Sequence, residues 1–277
     1  MDTSRLAPGY RVLKSVGSGA AGTIYLAEGP GGERVALKVV NSRQPGGKKA
    51  CEELNREYKI LSRLKHPGIP RAHALHRTGE GLCMVRDYCS GTSLRNLIRE
   101  DRREVARILP EILWRSGEML QHMHDRGLVH RDFKPENLIV DDGGNVFLVD
   151  MALAWRKRLL GGKPALAGTP VYLAPELLGG GTPTPAADTY AYAVTAYELL
   201  AGRVPYEGRS REETLLAQRR GGAQPPSHRN RSVPPELDLL VMEGLKKDPS
   251  QRPRNVLVYA HKLSEVVARS RPAPAPK

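Results

Sequence analysis

The chain has 277 residues, enough for one large domain or two smaller lobes with a sizeable core. Hydrophobic residues make up 40% and charged residues 26%, which excludes disorder throughout, and no apolar run is long enough to span a membrane. The formal charge of +13 would suit a nucleic-acid partner, but the excess is mainly arginine and no zinc-finger, RNP or basic-region pattern accompanies it. We therefore expect no nucleic-acid partner.

The cysteines and the N-terminus indicate a reducing compartment. Cys51, Cys83 and Cys89 are odd in number and match no zinc or redox spacing. The first ten residues lack the apolar stretch of a secretory signal. We expect a cytoplasmic protein, or the cytoplasmic domain of a longer chain.

The first third of the sequence predicts an antiparallel meander followed by a helix and a further strand. Apolar side chains recur at helical spacing over 51–64, and 82–88 predict a strand. The polar, glycine-containing stretch 90–93 marks a break between two lobes. The three strands of the meander, separated by glycine-containing turns, are predicted at 10–13, 23–27 and 35–40.

Beyond the break, apolar faces at helical spacing predict a mainly helical region. The final stretch is a Pro/Ala-rich tail, which we expect to be disordered because its composition offers nothing to pack. The strongest helices are predicted at 105–126, 188–200, 236–246 and 255–269.

A glycine-rich run lies between the first two predicted strands. Gly17, Gly19, Gly22 and Ile24 follow a spacing that alone fits dinucleotide sites, phosphate-covering loops or simple turns. A dinucleotide fingerprint leads from a strand into a helix, whereas this run leads from strand to strand. The context favours a loop whose backbone N–H groups cover phosphates.

A lysine and a glutamate form a candidate ion pair. Lys38 lies in an apolar strand, where burying its charge requires an anionic partner. Glu57 lies in the predicted helix and can be that partner. Taken alone, Lys38 is more simply an edge-strand lysine that points to solvent.

The segment 130–137 carries the strongest chemical signal. It places Asp132, Lys134 and Asn137 on a short polar loop between apolar runs. Asp132 can accept the proton of an attacking hydroxyl, Lys134 can neutralise a transferring phosphoryl group and Asn137 can hold a metal ion. Asp150, further along, offers a carboxylate to the same kind of ion.

With these residues in place, residues 10–267 resemble the eukaryotic-type (Hanks-type) protein kinases, and the composition is similar to their bacterial Ser/Thr branch. The resemblance is strongest over 130–137 and 168–176, and Asp188 and Arg252 match the structural Asp and Arg of the family, the latter pairing with Glu176. It implies an α+β, two-lobed fold with ATP between the lobes. The implied parts are a β-rich N-lobe at 1–88, a mainly helical C-lobe at 89–267 and the disordered tail at 268–277.

The resemblance also implies roles for individual residues. Asp132 and Lys134 would be catalytic, with Thr169 bracing both, and the Lys38–Glu57 pair would anchor the phosphates. Asn137 and Asp150 would hold Mg²⁺, with Mn²⁺ as an alternative. The residues expected to contact ATP are Val16, Gly17, Gly19, Gly22, Ile24, Ala36, Lys38, Asp87, Cys89 and Ile139.

The sequence departs from the family pattern around the nucleotide. Asp150-Met151-Ala152 replaces Asp-Phe-Gly, and we hypothesise that losing the glycine restricts an inward–outward flip of this segment. Arg86 stands before the hinge, where it would face Glu57 or Asp150 and could compete with Lys38; a shift of one residue would instead send it to solvent.

The segment 151–168 contains no Ser, Thr or Tyr, so we predict activation without a phosphate there. The same segment carries the basic residues Arg156, Lys157, Arg158 and Lys163, a solvated charge run or a surface for acidic or phosphorylated proteins.

These observations support an active Ser/Thr protein kinase that uses ATP on protein substrates in bacterial signalling. The alternative is a pseudokinase that acts as a nucleotide-binding or scaffold module, and a small-molecule phosphotransferase is disfavoured by 168–176. A homodimer is left open.

Overall fold

The computed structural model describes residues 6–19, 22–156 and 167–270. The chain divides into two compact units: Met1–Ser90 with Val149–Leu153, and Gly91–Leu148 with Ala154–Lys277. We call these the sheet unit and the helical unit. The predicted lobe boundaries at 88 and 267 stay predictions.

The sheet unit contains a five-stranded antiparallel sheet in the order β1-β2-β3-β5-β4. Its central strand is β3, where every residue from Val35 to Val40 is buried and all but Lys38 are apolar, as expected of a strand covered on both faces. The strands are β1 Arg11–Gly19, β2 Gly22–Glu28, β3 Arg34–Asn41, β4 Ala72–Arg77 and β5 Gly81–Asp87.

The two faces of this sheet differ in what they bury. Because side chains alternate along a strand, Leu37 and Val85 point to one face, where they join an apolar cluster with Leu6. Lys38 and Arg86 point to the opposite face: register pairs Lys38 with Met84, and Arg86 with Ala36. Lys38 and Arg86 therefore share one face.

Helix α1, Gly47–Leu61, packs against β3, β4 and β5. It buries Leu54, Glu57, Ile60 and Leu61, a spacing that places Glu57 on the same face as the apolar residues. The helix begins four residues before the predicted start and ends before the predicted limit of 64, because the chain turns out of the helix at Ser62.

The helical unit contains a three-stranded sheet, β6 Thr92–Ser93, β7 Leu138–Val140 and β8 Val146–Leu148, in that order. Polar side chains cap its helices: Asp101 accepts the N–H of Glu104 at the start of α3, and Asn255 accepts that of Val258 at the start of α8. The helices are α2 Leu94–Glu100, α3 Arg102–His124, α4 Pro175–Leu178, α5 Pro185–Ala201, α6 Arg211–Arg220, α7 Pro235–Gly244 and α8 Val256–Arg269.

The packing of the helical unit centres on α5, which is buried along almost its whole length. Its aromatic side chains carry the core: Tyr192 packs against Phe133 and Tyr259, with ring centroids 5.8 and 5.7 Å apart. A helix buried all round is typical of the centre of a domain. The α+β class, with a β-rich first lobe and a mainly helical second lobe, is confirmed.

Several elements depart from the sequence-based expectations. β4, α2 and α6 had no prediction, because their short, polar sequences lack a clear periodicity. Helix α8 continues to Arg269, so residues 268 and 269 are helical rather than part of a disordered tail. Residues 271–277 lie outside the described residues. Within the described ranges, no helix is long and apolar enough to cross a bilayer.

Candidate active site

A buried ion pair lies on the α1 side of the main sheet. Lys38 Nζ donates to Glu57 Oε2 at 2.7 Å, and the two side chains are 5% and 0% exposed. Lys38 Nζ also lies 3.5 Å from Asp150 Oδ1. The alternative that Lys38 points to solvent from an edge strand is therefore wrong, and Lys38 contacts two carboxylates.

Arg86 joins the same cluster. It is 5% exposed, so the alternative that it points to solvent is wrong. Its Nη1 donates to the carbonyl oxygen of Val149 and lies 3.9 Å from Glu57 Oε1. Lys38 holds the other oxygen of Glu57, so the two cations do not compete for one position.

The segment after Val149 carries the departure from Asp-Phe-Gly. The backbone N–H of Ala152 donates to Asp150 Oδ1 at 3.0 Å, which fixes the carboxylate against its own backbone. Met151 is fully buried, as expected if its flexible thioether fills the space of an aromatic ring. Whether this segment flips stays a prediction.

The glycine run has one glycine that the backbone itself requires. Gly22 has φ +109°, and a Cβ there would lie 2.4 Å from the carbonyl oxygen of Val39. A Cβ on Gly17 or Gly19 would meet nothing within 4 Å. Gly22 therefore allows β2 to pack on β3, whereas Gly17 and Gly19 leave open space. Residues 20 and 21 lie outside the described residues.

The other predicted nucleotide contacts lie in both units. Val16 is exposed on β1 and Ala36 is buried on β3, while Ile24 lies opposite Lys38 in the register of β2 and β3. The carboxylate of Asp87 already has partners at the start of β4: Oδ2 accepts the N–H of Arg71, just before the strand, at 2.8 Å, and Oδ1 lies 2.6 Å from Nε2 of His73 in the strand. Contact with ATP through Asp87 would therefore use its backbone. Cys89 follows β5, and Ile139 lies in β7.

In the helical unit, Asp132 is held by three side chains. Lys134 Nζ donates to Asp132 Oδ2 at 2.7 Å and to Thr169 Oγ1 at 2.6 Å. Thr169 donates to Asp132 Oδ1 through its backbone N–H and its hydroxyl, both at 3.0 Å. Asn137 Nδ2 donates to the backbone oxygen of Asp132 at 2.8 Å. The predicted group Asp132, Lys134, Asn137 and Thr169 thus assembles.

Arg131, the residue before Asp132, has an unusual backbone conformation that buried hydrogen bonds hold in place. Arg131 has φ 70°, the one positive φ at a non-glycine residue in the described ranges, and such a conformation costs free energy unless its surroundings hold it. Asp188 supplies that hold, because it accepts the backbone N–H groups of His130 and Arg131 at 2.8 and 2.9 Å and lies 2.8 Å from His124 Nε2. Burial of Asp188 opposes ionisation, but these hydrogen bonds and the nearby histidines outweigh it and lower its pKa.

Gly168 lies close to the backbone of Arg131. It has φ +124°, and a Cβ there would lie 2.9 Å from the backbone oxygen of Arg131. A side chain would therefore push Thr169 away from Asp132. This requirement explains the Gly168-Thr169 pair in the sequence.

Asn137 in the helical unit and Asp150 in the sheet unit are the two predicted magnesium ligands. Each offers a side-chain oxygen, the kind of ligand that Mg²⁺ prefers, and magnesium is commonly held by one or two protein oxygens together with substrate phosphates. That the two residues bind one ion stays a prediction. The Asn137 amide nitrogen donates to Asp132, so its oxygen is the atom that would face a metal. Within the described ranges, no group of three or more His, Cys, Asp and Glu side chains forms an all-protein cage.

Residues 10–264 match the family of protein kinase domains. The chain belongs to this family. It is 32% identical over 277 residues to serine/threonine-protein kinase pkn2 of Myxococcus xanthus, covering 94% of this chain and 32% of that protein. It is 28% identical over 255 residues to PrkC of Bacillus subtilis, covering 90% and 39%, and 29% identical over 274 residues to PknA of Mycobacterium tuberculosis, covering 95% and 62%.

The predicted resemblance to the bacterial Ser/Thr branch of the family is confirmed by these relatives. The chain spans between about a third and three fifths of their lengths. Protein kinases as a family use ATP and Mg²⁺.

The segment 168–178 of this kinase domain is tied down at several points. Tyr172 donates to Glu198 Oε2 at 2.6 Å, and Arg95 contacts both. Gln218 Nε2 donates to the backbone oxygens of Pro170 and Val171 at 2.9 and 2.7 Å. A segment whose backbone and side chains are both bonded can present a fixed surface to a peptide.

Sequence reasoning missed Arg95 and Glu198. Burial opposes the charge of Arg95, but hydrogen bonds to Glu198 and Glu136 outweigh it and raise the pKa of Arg95. Burial, and then the charge of Glu198, raise the pKa of the Tyr172 hydroxyl. The three residues lie far apart in the sequence. The one available signal was the acidic side chain of Glu198 near the end of α5, a helix whose residues are mostly apolar or aromatic.

Proposed function

We propose that this chain is a protein Ser/Thr kinase that transfers the γ-phosphoryl group of ATP to a protein hydroxyl. The observation that carries the proposal is the group around Asp132. A partly exposed carboxylate, with a lysine at 2.7 Å and a threonine that bonds both, is arranged for an attacking hydroxyl and an incoming phosphoryl group.

Each residue of this group has one task. Asp132 orients the acceptor hydroxyl and takes up its proton. Lys134 offsets negative charge on the phosphoryl group during transfer. Thr169 fixes the positions of Asp132 and Lys134 relative to each other, because its hydroxyl is hydrogen-bonded to both. Asn137 fixes the loop through its amide nitrogen.

The sheet unit supplies the nucleotide-binding residues. Lys38, oriented by Glu57, binds the α- and β-phosphates, and the backbone of the Gly17–Gly22 run covers them. Asp150 and Asn137 are the residues that would hold Mg²⁺, which neutralises charge on the β- and γ-phosphates when bound. The further ATP contacts are proposed for Val16, Ile24, Ala36, the Asp87–Cys89 backbone and Ile139.

A Ser/Thr acceptor is favoured over Tyr by Lys134 and by the Gly168-Thr169 pair, which resemble Ser/Thr kinases, and by the names of the relatives. We place the activity in bacterial signalling. The basic run Arg156, Lys157, Arg158 and Lys163 is either a solvated charge run or a surface that favours acidic or phosphorylated protein substrates. Residues 157–166 lie outside the described residues. Light scattering would test the homodimer.

The test is transfer of labelled phosphate from ATP, with Mg²⁺ or Mn²⁺, to the chain itself and to a basic and an acidic protein. Asp132→Asn should lower the rate by a factor of roughly 10³ or more while leaving ATP binding and the melting temperature close to wild type. The matched control is Asp142→Asn, because Asp142 is an exposed aspartate in the turn between β7 and β8.

Three results are informative. Transfer that survives Asp132→Asn would contradict the role of Asp132. Binding of ATP without any transfer by the wild-type chain would favour the pseudokinase. Label that is found on Tyr alone would contradict the Ser/Thr assignment.

A further inference from the structure

Arg86 occupies an unusual place for a cation. It ends the buried part of β5 and lies opposite Ala36, on the face of the sheet that carries Lys38. Its side chain is 7% exposed. A guanidinium removed from water to this extent destabilises the fold unless anionic or carbonyl oxygens surround it.

The environment of Arg86 contains two such oxygens, on different parts of the sheet unit. Its Nη1 donates to the backbone oxygen of Val149. The same nitrogen lies 3.9 Å from Glu57 Oε1, a buried carboxylate oxygen that has no hydrogen bond. Arg86 therefore provides the counter-charge for the half of Glu57 that Lys38 does not bind.

Charge balance in the cluster depends on Arg86. Lys38 and Arg86 carry two positive charges, and Glu57 and Asp150 carry two negative ones, within contacts of 2.7 to 3.9 Å. Without Arg86, Lys38 would face two carboxylates and the cluster would be net negative. A net negative cluster would repel the phosphates that Lys38 is proposed to bind.

Arg86 also links elements that differ in sequence position. Glu57 belongs to α1, Arg86 to β5, and Val149 begins the segment that contains Asp150. A single side chain thus ties the helix to the segment that carries the proposed metal ligand. The segment 151–168 contains no Ser, Thr or Tyr that could be phosphorylated to provide such a link.

We propose that Arg86 is a positioning residue that holds Glu57 and the Val149 backbone on the Lys38 face of the sheet, so that the Lys38–Glu57 pair assembles without phosphorylation of the 151–168 segment. The inference rests on the proposed kinase function for its consequence in catalysis. Its structural part stands on the contacts of Arg86 alone.

The experiment compares Arg86→Met, Arg86→Lys and the control Arg77→Met. Arg77 is an exposed arginine at the end of the neighbouring strand β4. Arg86→Met keeps the length of the side chain and removes its charge, whereas Arg86→Lys keeps the charge and loses the planar fork. Each protein is treated with a phosphatase and then purified, so that no phosphorylated side chain affects the measurements.

Two readouts are measured. The first is kcat and KM for ATP: Arg86→Met should lower kcat/KM by at least about 10-fold, mainly through KM, and Arg86→Lys should stay within about threefold of wild type. The second is hydrogen exchange: amides of α1 and of 149–153, including the Ala152 N–H that bonds Asp150, should exchange faster in Arg86→Met.

The second readout requires no catalysis, so the two proposals can fail separately. Faster exchange in a chain that never transfers phosphate would support the role of Arg86 and refute the kinase assignment. Normal transfer by Arg86→Met, with exchange equal to that of Arg77→Met, would overturn the role of Arg86 alone. A uniform loss of stability with unchanged KM would also overturn it, because that result describes a purely structural residue.

If Arg86→Met does not fold, the double variant Arg86→Met/Glu57→Gln tests whether the unpaired charge of Glu57 is the cause. Removing the carboxylate together with its counter-charge should restore folding, because the unpaired buried charge is then absent. If the double variant also fails to fold, Arg86 acts on the fold as a whole and the proposal is wrong.

Discussion

Arg252 and Arg86 are both buried arginines, 3% and 5% exposed, yet they use their guanidinium groups differently. Arg252 binds both oxygens of Glu176 at 2.8 and 2.7 Å and also donates to the backbone oxygens of Lys246, Ala186 and Lys247. Arg86 has a hydrogen bond to Val149, a carboxylate oxygen at 3.9 Å and an Nε without a partner.

The difference separates two uses of a buried charge. Arg252 donates through every nitrogen, so any movement breaks several hydrogen bonds at once, which suits a permanent link between 168–176 and the helices. Arg86 leaves its Nε without a hydrogen bond, so it joins Glu57 and the Val149 backbone through fewer hydrogen bonds than Arg252 makes with its partners. A cluster that must accept the phosphates of a ligand benefits from that second arrangement.

Arg252→Met is the most severe test of this comparison. It leaves Glu176 without its cation and removes three bonds to backbone oxygens, and we expect the free energy of unfolding to fall by about 3–5 kcal/mol. Urea unfolding followed by circular dichroism measures this. The control is Arg254→Met, because Arg254 is an exposed arginine two positions away. A loss below about 1 kcal/mol would mean that the fully bonded pair is not a structural link.

Lys38→Met tests the open cluster. Transfer should fall by roughly 10²–10³-fold because the phosphates lose their cation. Stability should fall less than for Arg252→Met, since Arg86 is near enough to turn toward Glu57 and limit the unpaired charge. Kinetics and urea unfolding of the same preparation measure both. A stability loss as large as that of Arg252→Met would contradict the difference between the two clusters.

Asp188 is a third buried charge, and its oxygens accept backbone N–H groups as fully as Arg252 donates. Its pKa in the folded chain is lowered, because the hydrogen bonds outweigh the effect of burial. The stability that it contributes is thus present above its unfolded pKa of about 3.9 and is lost as the pH falls through the lower folded value.

We therefore expect Asp188→Asn to lower the free energy of unfolding by roughly 2 kcal/mol at pH 7. We also expect the free energy of unfolding to decline less steeply in this variant, below a pH of about 4, than in the wild-type chain. Urea unfolding between pH 3 and 7 measures this, with Asp142→Asn as the control. An unchanged acid profile in Asp188→Asn would contradict the assignment.

The comparison also shows what the sequence could predict. The pairing of Arg252 with Glu176, the meander and the polar loop 130–137 were predicted because each has a local pattern or a specific motif, and the structure contains all three. The orientation of Arg86 could not be predicted, since a shift of one residue in β5 reverses the face of every side chain.

Longer-range features were less predictable for a different reason. Arg95, Tyr172 and Glu198 contact one another but lie far apart in the sequence. No local pattern distinguishes any of the three from an ordinary polar residue. Strand β4 consists of alanine, histidine, leucine and arginine, without the β-branched residues that favour strands. Pairing with β5 and packing against α1, rather than local preference, make it a strand.

The smallest expected effect comes from Ala152→Gly. This variant tests whether the segment 149–153 is ordered by the contacts of Arg86 or by the presence of alanine in place of glycine at 152. Arg131 is the one non-glycine residue with a positive φ in the described ranges, so the backbone at Ala152 does not require a glycine. Glycine at this position should lower the free energy of unfolding by less than about 1 kcal/mol, through the greater freedom of the unfolded chain.

If Arg86 holds the segment, kcat/KM for ATP should change by less than about threefold in Ala152→Gly. The same substitution in Arg86→Met should cost more than it does in the wild-type chain, because the segment would then have lost both restraints. A tenfold loss from Ala152→Gly alone would instead assign the order of the segment to the residue that replaces glycine in Asp150-Met151-Ala152, and would reduce Arg86 to a partner of Glu57.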